Sequence, residues 1–163
     1  MTTPRIYVGT YAKYNDGNLF GKWLDLDDYD DKSEFIQACL ELHNDEEDPE
    51  LMFQDWEGIP DSFVSECSID PDFWDYMGSD RDEDAKAAYM YLFGEWSESD
   101  FDDRYRGQYD SFTDLAEQLL EETGELEAIP ENLRYYFDYE AYGRDLRLGG
   151  DFCEHNGHYF WNN

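Results

Sequence analysis

Apolar positions along this chain switch between a period of two and a period of about 3.6 residues, and the switches mark out its elements. Ile6, Val8 and Thr10, with Tyr7 and Tyr11, read as a strand. The turn residues Asn15, Asp16, Gly17 and Asn18 follow, and Phe20 to Leu26 reads as the returning strand of a hairpin. A helix comes next, with Asp31 as its cap, Glu34 three residues on, and Phe35, Ile36, Cys39, Leu40 and His43 as its buried stripe. An acidic loop from Asn44 to Glu50 leads to a third strand, Leu51 to Trp56. From 61 to 103 the signals become helical. Phe63 with Val64, then Phe73, Trp74 and Met77, then Ala85 to Phe93 form short helices punctuated by Pro60, Pro71 and Gly78.

The stretch from Ser111 to Leu148 is the most strongly patterned. Phe112, Leu115, Ala116, Leu119 and Leu120 make one helical stripe, Ser111 and Asp114 mark its start, and Gly124 its end. Asp114, Glu117 and Glu121 lie opposite, spaced about 4.5 to 6 Å along the axis. Pro130 suits the first turn of a further helix. Along it Tyr135, Tyr139, Tyr142 and Leu146 form one line and Leu133, Phe137 and Ala141 another, with Glu140–Arg144 and Arg134–Asp138 spaced for surface ion pairs. The tyrosine line suits a core or a subunit interface, or direct contact with a partner. A strand over Arg104 to Tyr109 precedes this stretch. Asn156 and Gly157, between His155 and His158, predict a two-residue hairpin turn after it, read as a surface hairpin. Residues 33–41 and 113–121 align faintly, as two amphipathic helices on sheets would.

These elements predict an α+β fold of three small units with small antiparallel sheets: an α+β unit over 1–60, a helical unit over 61–103 and an α+β unit over 104–163. Charge changes the picture further. With 42 acidic and 11 basic residues the formal charge is −31, yet 18% of the residues are aromatic, so the chain can bury a core beneath a negative surface. Spread along a sphere of about 40 Å diameter, that charge gives about 0.8 per Å, against about 0.6 per Å for duplex DNA. Stretching the body to about 53 Å equalises the two and lowers self-repulsion, so an elongated chain is expected. One acidic helix is too sparse to imitate a duplex, and several acidic elements side by side are required.

The run EETGELEAIPENLRYYFDYEAYGRDL, Glu121 to Leu146, resembles the antirestriction motif region of the ArdA family. RIYVGTYAKYNDGNLFGKWLDL, from Arg5, and ELMFQDWEGIP, from Glu50, are similar to that family's first domain. The resemblance implies an acidic protein of mobile genetic elements that mimics B-form DNA and inhibits Type I restriction–modification enzymes, generally as an elongated homodimer. The expected motif residues are Leu133, Tyr136, Asp138, Tyr139, Glu140, Tyr142, Gly143, Arg144, Asp145 and Leu146. The expected partner-facing carboxylates are Asp25, Asp27, Asp28, Asp30, Asp31, Asp114, Glu117, Glu121, Glu122, Glu125 and Glu127. The partner the resemblance implies is the enzyme's DNA-binding channel, with neither nucleic acid nor membrane expected to be bound. The dimer interface is placed in the C-terminal unit, on the tyrosine line and the aromatic end Tyr159, Phe160 and Trp161.

Other chemistry is poorly supported by the residues. Asp25 with Asp27, and Asp80 with Asp82 and Asp84, begin like calcium loops, but the sixth positions are Asp30 and Ala85 instead of glycine. Cys153, His155 and His158 lack a fourth zinc ligand nearby. No phosphate loop, nucleophile elbow or metalloprotease helix is present, so no catalytic residue and no cofactor are expected. Cys39, Cys67 and Cys153 are too few and too scattered for a disulfide framework, and the N-terminus has no apolar leader, which together point to a cytoplasmic protein. An alternative account of the charge is a halophilic surface or a generic acidic module for a basic protein.

Overall fold

The computed structural model describes residues 3–162. The chain packs as two compact units, one made of residues up to Asp80 with Gly94–Trp96, the other of Arg81–Phe93 with the residues from Ser97 onward. The segment 61–103 is therefore divided between them. Mixed helix and strand, with two three-stranded antiparallel sheets, make the fold α+β.

In the first unit β1 (Arg5–Thr10) is the central strand, flanked by β2 (Lys22–Asp25) and β3 (Leu51–Glu57). Between β1 and β2 the chain makes one helical turn, α1 (Tyr11–Asn15), where a simple turn was expected. The Thr10 hydroxyl caps it by accepting from the Lys13 N–H. Ile6 and Val8 alternate into the core from β1. Helix α2 (Lys32–Leu42) starts as its sequence predicts: the Asp31 carboxylate accepts from the Glu34 N–H at 2.9 Å, and the Glu34 carboxylate reaches back to the Asp30 N–H at 2.8 Å. Its Phe35, Cys39 and the following His43 are buried, but Leu40 is 40% exposed, so the buried stripe is narrower than expected. Phe35 meets Phe53 of β3 and Trp74 of α3 (Asp72–Gly78). Phe63, Phe73 and Tyr76 complete an aromatic core.

The second unit contains α4 (Glu83–Phe93), α5 (Glu98–Arg104), β4 (Tyr105–Gln108), α6 (Phe112–Thr123), α7 (Glu131–Arg134), α8 (Tyr139–Gly149), β5 (Phe152–His155) and β6 (His158–Trp161). Its sheet runs β4-β6-β5, with β6 central. Asn156 and Gly157 turn the hairpin with φ of 52° and 84°, the pair of left-handed conformations that a tight turn of this hand requires. Because side chains alternate along β6, Tyr159 faces Phe112 of α6 while Phe160 faces Phe101 of α5 and Phe93 and Tyr89 of α4. Helices thus cover both faces of this strand. Tyr159 and Phe160 are 3% and 0% exposed, so neither the surface hairpin nor the exposed aromatic end expected from the sequence survives. His158, also buried, holds Tyr105 Oη through Nδ1, and His155 stacks on Tyr91. Lys86 of α4 is fully buried, with its ammonium 3.1 Å from Glu83. The two sheets thread their strands differently, and the faint likeness of residues 33–41 to 113–121 is that of two capped amphipathic helices.

Candidate functional site

Helix α6 is the platform. Ser111 Oγ accepts from the Asp114 N–H, and Gly124 closes the helix at φ 70°, so both ends are fixed by the residues that predicted them. Leu115, Ala116 and Leu120 are buried and Phe112 and Leu119 partly so; Glu117, Glu121 and Glu122 stand exposed, and Asp114 is half-buried. Glu122 is partly neutralised by Arg106 at 2.8 Å. A 3-10 turn, Glu125–Ala128, then sets Glu125 and Glu127 on the surface. Glu117, Glu121 and Glu127 line one open cleft of about 480 Å³ together with Leu120, Arg134 and Tyr139.

The segment after Pro130 is not the single helix expected. Pro130 precedes the four-residue α7, the chain breaks over 135–138, and α8 restarts with Asp138 as its cap, its carboxylate accepting from the Ala141 N–H at 3.0 Å. A capping carboxylate satisfies an otherwise unpaired helix N–H, which an i,i+4 surface pair does not. Arg134 accordingly turns away from Asp138. Its Nε donates to the carbonyls of Leu126 and Ile129 at 2.8 and 2.9 Å, and Nη2 to that of Glu127 at 3.3 Å.

The tyrosines separate. Tyr135 and Tyr136 are 87% and 76% exposed and pack edge to face on each other, with Leu133 exposed beside them in sequence. Tyr139 and Tyr142 are half-buried around Phe137. Leu146 joins the core of Leu115, Phe152 and Tyr159. Glu140, Arg144 and Asp145 are exposed along α8. Gly143 is buried where α8 crosses the first turn of α6: a Cβ there would lie 2.8 Å from the Phe112 carbonyl carbon and the Thr113 nitrogen. Close approach of the two backbones explains a glycine that pattern alone left without a reason.

The other expected acidic group lies in the first unit. Asp27, Asp28, Asp30 and Asp31 are exposed and Asp25, at the end of β2, half-buried; Asp31 doubles as the helix cap.

One cluster was not legible in the sequence. Lys13 Nζ lies 2.9 Å from His43 Nδ1, 2.9 Å from Asp45 and 2.8 Å from Glu46, while His43 Nε2 reaches the Val8 carbonyl. Accepting from the ammonium makes Nδ1 the unprotonated nitrogen, so Nε2–H donates to Val8. Burial alone would lower the Lys13 ammonium, but the hydrogen bonds to Glu46 and Asp45 outweigh it and raise it. The same bonds hold both carboxyls below their usual range. Among the described residues, His43, Asp45 and Glu46 bring ligand atoms within 4.8 Å of one another, as a divalent ion would need, and the lysine ammonium already fills that place. Elsewhere Asp70 raises the neighbouring Asp72 carboxyl by repulsion, and burial pushes the Cys39 thiol up to about 12. Among the described residues no helix is long and apolar enough to cross a membrane.

No curated protein matches this sequence. The family model described as "Antirestriction protein (ArdA)" matches residues 6–160, which takes in both units, the acidic helix α6 and the whole Glu121–Leu146 segment. A match over nearly the entire chain shows that it belongs to the ArdA antirestriction family.

Proposed function

We propose that this protein inhibits Type I restriction–modification enzymes by occupying their DNA-binding channel, its carboxylates taking the places of DNA phosphates. The observation that carries this is the cleft in the second unit. Glu117 and Glu121 from α6 and Glu127 from the following turn converge on it, so a second acidic element stands beside the helix. That meets the need, set by the sparse carboxylate spacing of one helix, for acidic elements side by side. Formal charge supports it further, since −31 makes docking onto a basic channel strongly favourable at a distance. The acidic run Asp25 to Asp31 adds a second patch, and the carboxylates act collectively. The protein catalyses nothing in this role, and works in the cytoplasm. It acts as a homodimer joined through its C-terminal unit, where Leu133, Tyr135 and Tyr136 leave apolar surface uncovered.

The test is a cleavage assay with a purified Type I enzyme, DNA and increasing amounts of the protein, repeated across a salt series. Inhibition is expected to be competitive with DNA and to weaken steeply as salt rises, because each counterion released on binding gains less entropy in concentrated salt. Inhibition that excess DNA does not relieve, or that persists unchanged in high salt, would sink the proposal. Light scattering at micromolar concentration tests the dimer, and a monomer alone removes that part.

A further inference from the structure

We infer that Arg134 is a positioning residue of the inhibitory face, fixing the carboxylates of Glu125 and Glu127 against α6 without neutralising them; this rests on the reading of the second unit as a phosphate mimic. The turn that carries the two glutamates has little else to hold it. Glu125, Glu127 and Ala128 are exposed, Leu126 and Ile129 only half-buried, and α7 is four residues long, too short to be stable alone. Within the turn, the Glu127 and Ile129 N–H groups close onto Gly124 and Leu126 at 3.0 Å. The guanidinium supplies what remains, tying one short turn and its closing residue to one planar group through the Leu126, Glu127 and Ile129 carbonyls. A guanidinium presents several donors in a fixed fork, whereas an ammonium is a single point and cannot span the same three carbonyls. Its donors engage backbone oxygens, so the glutamate side chains stay free for a cationic partner.

This reverses the sign that charge counting gives. Arg134→Met makes the chain one unit more negative, and a surface that works by charge alone then inhibits as well or better. If Arg134 positions the turn, Arg134→Met and the charge-preserving Arg134→Lys both inhibit about tenfold more weakly. The slope of log inhibition constant against log salt falls by about 2, reflecting two carboxylates out of place. Hydrogen exchange of the full-length variants is expected to quicken over 126–136 and to stay unchanged in β6. Should a variant lose its global fold, Glu125→Gln/Glu127→Gln in the native background gives the same slope change, and adding Arg134→Lys to it causes no further loss. Full inhibition by Arg134→Lys, stronger inhibition by Arg134→Met, or additive losses in the combined variant would each overturn the inference. If the native protein inhibits no Type I enzyme, the functional reading fails. The exchange pattern over 126–136 still decides whether Arg134 holds the turn.

Discussion

Gly143→Ala and Gly149→Ala place the same methyl group on one helix with opposite expected results. At Gly143 the new Cβ would meet backbone atoms of Phe112 and Thr113 at 2.8 to 2.9 Å, whereas ordinary contact begins at 3.4 Å, so α6 and α8 must part by roughly 0.6 Å. The obstacle is main chain at the start of α6, which no rotamer change can relieve. Displacing that turn disturbs the Ser111 cap and the Phe112–Tyr159 contact, whose ring centroids are 4.9 Å apart. Overpacking of this kind costs about 1–3 kcal/mol. Alanine's better helix propensity returns about 1 kcal/mol, leaving a net loss of about 0–2 kcal/mol, against a net gain at Gly149. For a unit of 60–100 residues each kcal/mol moves Tm by about 4–8 °C. Nothing lies within 4 Å of a Cβ at Gly149, so there only the propensity gain of up to about 1 kcal/mol remains. Urea unfolding followed by intrinsic fluorescence, with the m-value checked for constancy, compares the two. If Gly143→Ala proves as stable as Gly149→Ala, the close packing of α6 on α8 is wrong.

Three further outcomes follow from the structure. Because Lys13 holds the Asp45 and Glu46 carboxyls below their unfolded values, its stabilisation is complete above about pH 5 and is lost as pH falls through the lowered folded values. Protection from hydrogen exchange over 44–50, taken relative to the intrinsic amide rate at each pH, is expected to fall in acid, and Lys13→Met removes that step; an acid-independent protection would refute the linkage. The same substitution orphans the buried His43 Nδ1, costing about 1–3 kcal/mol in urea unfolding, and no loss would mean that the site rehydrates freely. Toward a thiol reagent in native buffer Cys67, which is exposed, reacts first and Cys39, buried and pushed up to about 12, reacts last; equal rates would contradict the burial of α2.

How far the sequence disclosed this molecule depended on the range of the forces involved. Ser111, Gly124 and Asp31 act on their own helix ends, and the Asn156–Gly157 turn on its own hairpin, so local pattern located all of them. The break over 135–138 was also local, since Asp138 stands three residues before the N–H it caps, but the tyrosine periodicity running through it masked the signal. Tyr159 and Phe160 were misjudged because a strand apolar on both faces implies helices on both, and those helices come from distant stretches. Lys13 and His43 lie thirty residues apart, and no spacing announces their contact. Within the candidate site the acidic face of α6 was legible, whereas the role of Gly143 needed the crossing helix and that of Arg134 the folded turn.

Lys13, Lys86 and Arg134 all direct their cationic groups inward, to carboxylates, an imidazole or the main chain. Composition alone therefore understates how one-sided the exterior is. Such a molecule is repelled by other polyanions and gathers a mobile sheath of small cations. Shedding that sheath onto solvent when a basic surface arrives is an entropic gain already stored in the free protein, before any contact is made.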